Sequence, residues 1–182
     1  YQEAAGATAC EACRAGYYCA EGSAAPLPCP GGTTMDASLA VMTSAEQCLD
    51  CPEGTFCPVG SANATLCAPG TVNPLVRQES CVRCAAGTYQ DGEGNTTCLA
   101  CTPGYYCAEG SAAPLPCQAG SYSSTAGLTS ASACTTCPAG HTCDGDSKTA
   151  CAATKYVANN VCTACPGGFT CDGDAKTACA ST

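Results

Sequence analysis

Residues 17–29 read YYCAEGSAAPLPC, and residues 105–117 repeat them letter for letter. A second near-copy joins HTCDGDSKTAC at 141–151 to FTCDGDAKTAC at 169–179. Working outward, the cysteines fall at 10, 13, 19, 29; 48, 51, 57, 67; 81, 84; 98, 101, 107, 117; 134, 137, 143, 151; and 162, 165, 171, 179. Five groups share C-x2-C-x5-C, a spacer of nine or seven residues, and a fourth cysteine. One group, Cys81 and Cys84, lacks its last two members. Self-similarity at a period of a few tens of residues marks a repeat architecture.

Composition explains why cysteine carries the repeat. The chain has 182 residues and 22 cysteines, a density that marks a disulfide scaffold. Its apolar fraction of 46% is mostly alanine and cysteine. Leu, Val and Phe number 17, and Ile and Trp are absent, too few for an ordinary hydrophobic core. The net charge of −9, with six Lys plus Arg, excludes binding to nucleic acid through phosphates and disfavours anionic membranes. No run of 18 apolar residues offers a membrane span. So many cysteines imply pairing in an oxidising compartment, hence an extracellular or cell-surface setting.

Two pairing schemes fit the spacing. In the first, every loop closes on itself. Short loops then pair Cys13–Cys19, Cys51–Cys57, Cys101–Cys107, Cys137–Cys143 and Cys165–Cys171. Long loops pair Cys29–Cys48, Cys67–Cys81, Cys84–Cys98, Cys117–Cys134 and Cys151–Cys162. In the second, each unit is nested, first to third and second to fourth cysteine. Nesting strands Cys81 with Cys84 in a tight ring, so the first scheme is preferred, although spacing alone does not fix connectivity. It leaves Cys10 and Cys179 for cysteines elsewhere. Tyr1-Gln2 aligns with Tyr89-Gln90, each nine residues before a cysteine, and the last residue follows Cys179 by three. A segment of a longer repeat protein is expected.

Gly, Pro, Ser, Thr, Asn and Asp punctuate nearly every stretch, so turns dominate. Residues after each glycine, such as Thr88-Tyr89 and Ser121-Tyr122, suit strands two to four residues long. Asp36 to Cys48 is compatible with one or two helical turns. The expected fold class is small disulfide-rich repeats forming an elongated rod without a conventional core. Its expected repeats are 1–29 (truncated at its start), 30–67, 68–84 (truncated), 85–117, 118–151 and 152–182 (truncated at its end).

Cys51-Pro52-Glu53-Gly54-Thr55-Phe56-Cys57 and its relatives resemble the ephrin-receptor-like cysteine repeat, and the long loops resemble the first module of tumour-necrosis-factor-receptor repeats. The resemblance covers nearly the whole chain. It implies elongated extracellular stalks in receptors, protist surface antigens and algal or protist surface glycoproteins. Near-identical tandem copies and high alanine point to a protist or algal surface or ciliary-hair protein.

Candidate chemical sites are few. The C-x2-C pairs lack the second-pair spacing or histidine partners of a zinc site, so no metal or other cofactor is expected. His141 occupies a slot that elsewhere holds Tyr17, Thr55, Tyr105 and Phe169, which suits a ring packed on a disulfide and not a catalytic base. Asp144-Gly145-Asp146 and Asp172-Gly173-Asp174 offer too few oxygens for calcium and read as turns. Asn63-Ala64-Thr65 and Asn95-Thr96-Thr97 are N-glycosylation sequons. Pro74 blocks one at Asn73, and Asn160-Val161-Cys162 is a rare variant whose cysteine is bonded.

The expected function is structural, without enzymatic activity: a disulfide-stapled stalk or filament segment of a larger surface or ciliary-appendage glycoprotein. The alternative is the ectodomain stalk of a receptor, adhesin or surface antigen that binds a protein partner. Expected partners are other segments of the same longer chain, copies of itself and other extracellular structural proteins. Neither nucleic acid nor membrane insertion of this segment is expected.

Overall fold

One local device builds the chain. In Cys51-Pro52-Glu53-Gly54-Thr55 the Thr55 N–H donates to the Pro52 carbonyl at 3.2 Å, closing a turn. Gly54 takes φ +74°, the conformation that a type II turn demands at its third position. The Thr55 hydroxyl donates to the same Pro52 oxygen at 2.7 Å. Thr33, Thr71, Thr88 and Ser121 do likewise after their own glycines, which accounts for the recurring Gly-Thr and Gly-Ser pairs.

Each turn launches an antiparallel hairpin. The structure, a computed structural model that describes residues 1–2 and 9–179, contains ten two-stranded sheets among the described residues. Tyr17–Tyr18 pairs with Leu27–Pro28, Thr33–Thr34 with Leu49–Asp50, and Thr55–Phe56 with Thr65–Leu66. Thr71–Val72 pairs with Val82–Arg83, Thr88–Tyr89 with Leu99–Ala100, and Tyr105–Tyr106 with Leu115–Pro116. Ser121–Tyr122 pairs with Thr135–Thr136, His141–Cys143 with Lys148–Ala150, Lys155–Ala158 with Val161–Ala164, and Phe169–Cys171 with Lys176–Ala178. The cysteine that ends a hairpin donates its N–H back to the turn glycine, as Cys67 does to Gly54 and Cys117 to Gly104. Strand and turn are thereby locked at both ends.

Between Asp36 and Cys48 helix is confined to one 3-10 turn, Ala45–Gln47. The Gln47 amide oxygen accepts the N–H groups of Thr43 and Ser44, which caps the start of that turn, and the extended backbone of Cys48 ends it. The matching position in a later long loop holds a second such turn, Ala131–Ala133.

The described residues form two compact units. One comprises Tyr1–Cys84 with Gln90–Cys98, the other Ala85–Tyr89 with Leu99–Thr182. Within each unit a hairpin touches its next neighbour in sequence and the one after that. The turn glycine donates its N–H to the next hairpin: Gly32 to Cys57, Gly54 to Asn73, Gly70 to Gln90, Gly87 to Cys107 and Gly104 to Ser123, all at 2.7–2.8 Å. The hydrogen on its α-carbon faces the tip two hairpins on. A Cβ on Gly54 would lie 2.0 Å from the Gly94 carbonyl oxygen, and one on Gly16 would lie 2.2 Å from that of Gly60.

The core is cystine. Among the described residues the buried apolar set consists of eleven cysteines plus Met42 and Val72. Asn73, Gln90, Thr33, Thr55 and Ser123 fill remaining interior positions. Leu27, Leu49, Leu66, Leu99 and Leu115 are each about half exposed, while Leu39 packs against the Cys29, Met42 and Cys48 cluster.

Candidate functional site

Ten disulfides frame everything else. The short loops join Cys13–Cys19, Cys51–Cys57, Cys101–Cys107, Cys137–Cys143 and Cys165–Cys171. The long loops join Cys29–Cys48, Cys67–Cys81, Cys84–Cys98, Cys117–Cys134 and Cys151–Cys162. Cα–Cα distances of 5.5–6.1 Å lie where unstrained bridges cluster. In the words Cys48/Cys51, Cys98/Cys101, Cys134/Cys137 and Cys162/Cys165 the first cysteine closes a long loop and the second opens a short one, whereas Cys81 closes one long loop and Cys84 opens another. Cys10 and Cys179 are exposed free cysteines. Among the described residues no three His, Cys, Asp or Glu side chains converge as a metal site would require.

His141 is half-buried on its strand, with Nδ1 2.9 Å from the Ala139 carbonyl oxygen. The two Asp-Gly-Asp words share letters but not surroundings. In the later one, Asp172 accepts the N–H groups of Ala175 (2.9 Å) and Asp174 (3.1 Å), which hold its carboxyl below its ordinary value. Asp174 reaches back to accept the Gly140 N–H at 3.2 Å. In the earlier one, Asp144 Oδ1 accepts the Ser147 hydroxyl at 2.6 Å, and among the described residues the Asp146 carboxylate has no hydrogen-bond partner. Asn160 secures that word from below: its Oδ1 accepts the Cys143 N–H at 2.9 Å and its Nδ2 donates to the Cys143 carbonyl.

Three features escaped the sequence reading. Basic groups sit on aromatic faces: Arg14 over Tyr17 at 4.0 Å, Lys148 over Tyr122 at 5.6 Å, and Lys176 over Tyr156 at 5.0 Å and Phe169 at 5.4 Å. The shared lysine of HTCDGDSKTAC and FTCDGDAKTAC was the available signal. Asn160 was weighed as a sequon, whereas its side chain serves as a brace. Finally, a cavity of about 440 Å³ opens among Tyr105, Pro116, Ser121, Asp144, Asp146 and Asn160.

Of the sequons, Asn63 is exposed at a hairpin tip, and Asn95 is half-buried with Nδ2 donating to the Glu93 carbonyl at 3.3 Å. Asn73 is fully buried and donates to Thr55 (2.8 Å) and Ser80 (3.2 Å) carbonyls, a structural role.

A family model described as tyrosine-protein kinase ephrin type A/B receptor-like matches residues 70–104. That stretch starts and ends on turn glycines and contains the hairpins at 71–83 and 88–100. Residues 70–104 are similar to the ephrin-receptor-like cysteine-rich repeat. No curated protein matches the chain. Among the described residues no helix is long and apolar enough to cross a membrane. The ten bridges and the ephrin-receptor-like match are those of a disulfide-rich extracellular chain.

Proposed function

We propose that this chain is a stapled stalk or filament segment of an extracellular structural protein. The carrying observation is the contact pattern within each unit: a turn glycine seats one hairpin on the next and on the one after, and the bridges supply the interior. Modules that bury their few apolar atoms on sequence neighbours stack into solenoid-like arrays. The six cysteine-rich repeats, bounded at residues 29, 67, 84, 117 and 151, are the proposed units of that array, with N-glycans at Asn63 and Asn95. The tandem near-identical copies and high alanine support a surface or ciliary-appendage glycoprotein of protist or algal type, assembling with copies of itself or with other structural proteins.

Solution scattering is the test. A compact chain of this length has a radius of gyration of about 16 Å. Hairpins advancing by about the length of a typical strand per repeat give a rod on the order of 120 Å, with a radius of gyration of about 35 Å. A value below about 20 Å would remove the stalk reading. A receptor or adhesin ectodomain is the second reading, favoured by the cavity beside Tyr105, which a purely mechanical segment does not need.

A further inference from the structure

We propose that the cavity beside Tyr105 is a seat for a basic side chain, an arginine above all, presented by another protein. The chain supplies its own comparison, because residues 17–29 and 105–117 are identical. In the first copy the Tyr17 ring carries the Arg14 guanidinium at 4.0 Å. Arg14 stands three residues before Tyr17, and the equivalent residue before Tyr105 is Thr102. Among the described residues no cation lies over Tyr105, a residue that is 41% exposed. The same ring, in the same local sequence, thus presents an unoccupied face.

The surroundings fix the sign of the charge that would fill it. Asp144 and Asp146 line the cavity, and no lysine or arginine does. Asp144 has one oxygen engaged by Ser147, and among the described residues nothing engages either oxygen of Asp146. A guanidinium gains from an aromatic face and from a carboxylate at once, through cation–π attraction and charge-assisted hydrogen bonds. A calcium ion gains nothing from the ring and needs six to eight oxygens.

The seat is also held in place before any partner arrives. A Cβ on Gly104 would lie 2.9 Å from the Asp146 backbone nitrogen, so the turn that launches Tyr105 packs directly on the backbone that bears the carboxylate. Gly145 accepts the Ser123 N–H at 2.8 Å, and Asn160 clamps Cys143. Preorganisation of this kind lowers the ordering cost of binding. The later Asp-Gly-Asp word provides no such seat, because both of its carboxylates are already engaged within the protein. The seat is local to one unit and stands whether or not the chain is a stalk.

The test is a titration of the intact, oxidised chain with N-acetylarginine amide, read by the ring resonances of the tyrosines. The expected result is a saturable shift at Tyr105 with Tyr17 unmoved. Thr102→Arg, which restores the residue found before Tyr17, should cover the ring from within and weaken binding at least tenfold. Asp146→Asn should weaken it several-fold. Both sites are exposed, so both variants keep the fold. Equal shifts at Tyr17 and Tyr105, no shift at Tyr105, or unchanged binding in both variants would overturn the seat. So would a larger shift with methyl glucoside, which would mark a sugar site instead.

Discussion

Gly54 shows how much a single hydrogen atom decides here. Its φ of +74° and the 2.0 Å gap from a would-be Cβ to the Gly94 oxygen forbid any side chain. Gly120 has φ +84° but open space around its Cβ direction. Gly120→Ala should therefore cost only the left-handed strain of about 1–2 kcal/mol. Gly54→Ala should cost clearly more, because backbone must move as well; urea midpoints under oxidising conditions compare the two. The Asp36 carboxyl is held below its ordinary 3.8 by the Ser38 hydroxyl first and the Ser38 N–H second. Asp172 is held below 3.8 by the Ala175 N–H first and the Asp174 N–H second. A depressed carboxylate contributes stability that is present above its unfolded value and lost as pH falls through its folded value. Carboxyl-carbon titration should give midpoints below 3.8 for both, with their turns loosening only at more acid pH. At this scale the sequence was readable where a residue's partner is local, as in the Gly-Thr turns. It was not readable where identical letters meet different neighbours: Tyr17 and Tyr105 share thirteen letters and differ through Arg14 and Thr102.

At the scale of the element, hairpin and bridge are one object. The turn glycine sets the strand direction, the closing cysteine returns a hydrogen bond to it, and the disulfide shuts the loop. The short strands could be foreseen because glycine and hydroxyl recur together. Helix between residues 36 and 48 is confined to Ala45–Gln47 because the flanking Ser44 and Cys48 are both held in extended backbone conformations. The cavity was invisible from sequence because it lies among separate hairpins and the loops between them, with residues as far apart as Pro103 and Asn160. A non-reducing peptide map should recover Cys51–Cys57 and Cys67–Cys81. Finding Cys48–Cys57 together with Cys51–Cys67 would establish the nested scheme instead. Replacing both Cys67 and Cys81 with Ser opens a loop of sequence separation 14. By chain entropy that costs about 3 kcal/mol, measurable as a drop in urea midpoint.

For the whole molecule the question is what opposes conformational entropy. Ordering costs about 1–2 kcal/mol per residue of backbone. Met42 and Val72 are the buried aliphatic side chains among the described residues, too few to make a conventional core. Eleven buried cysteines and the ten loops that bridges close must therefore carry the fold, by filling the interior and by restricting the unfolded chain. The direct test is circular dichroism of the intact chain in excess reductant, at room temperature and without denaturant. The native spectrum should collapse to that of an unfolded chain as the bridges open. A reduced chain that keeps its native spectrum would show that something other than cystine holds these hairpins together.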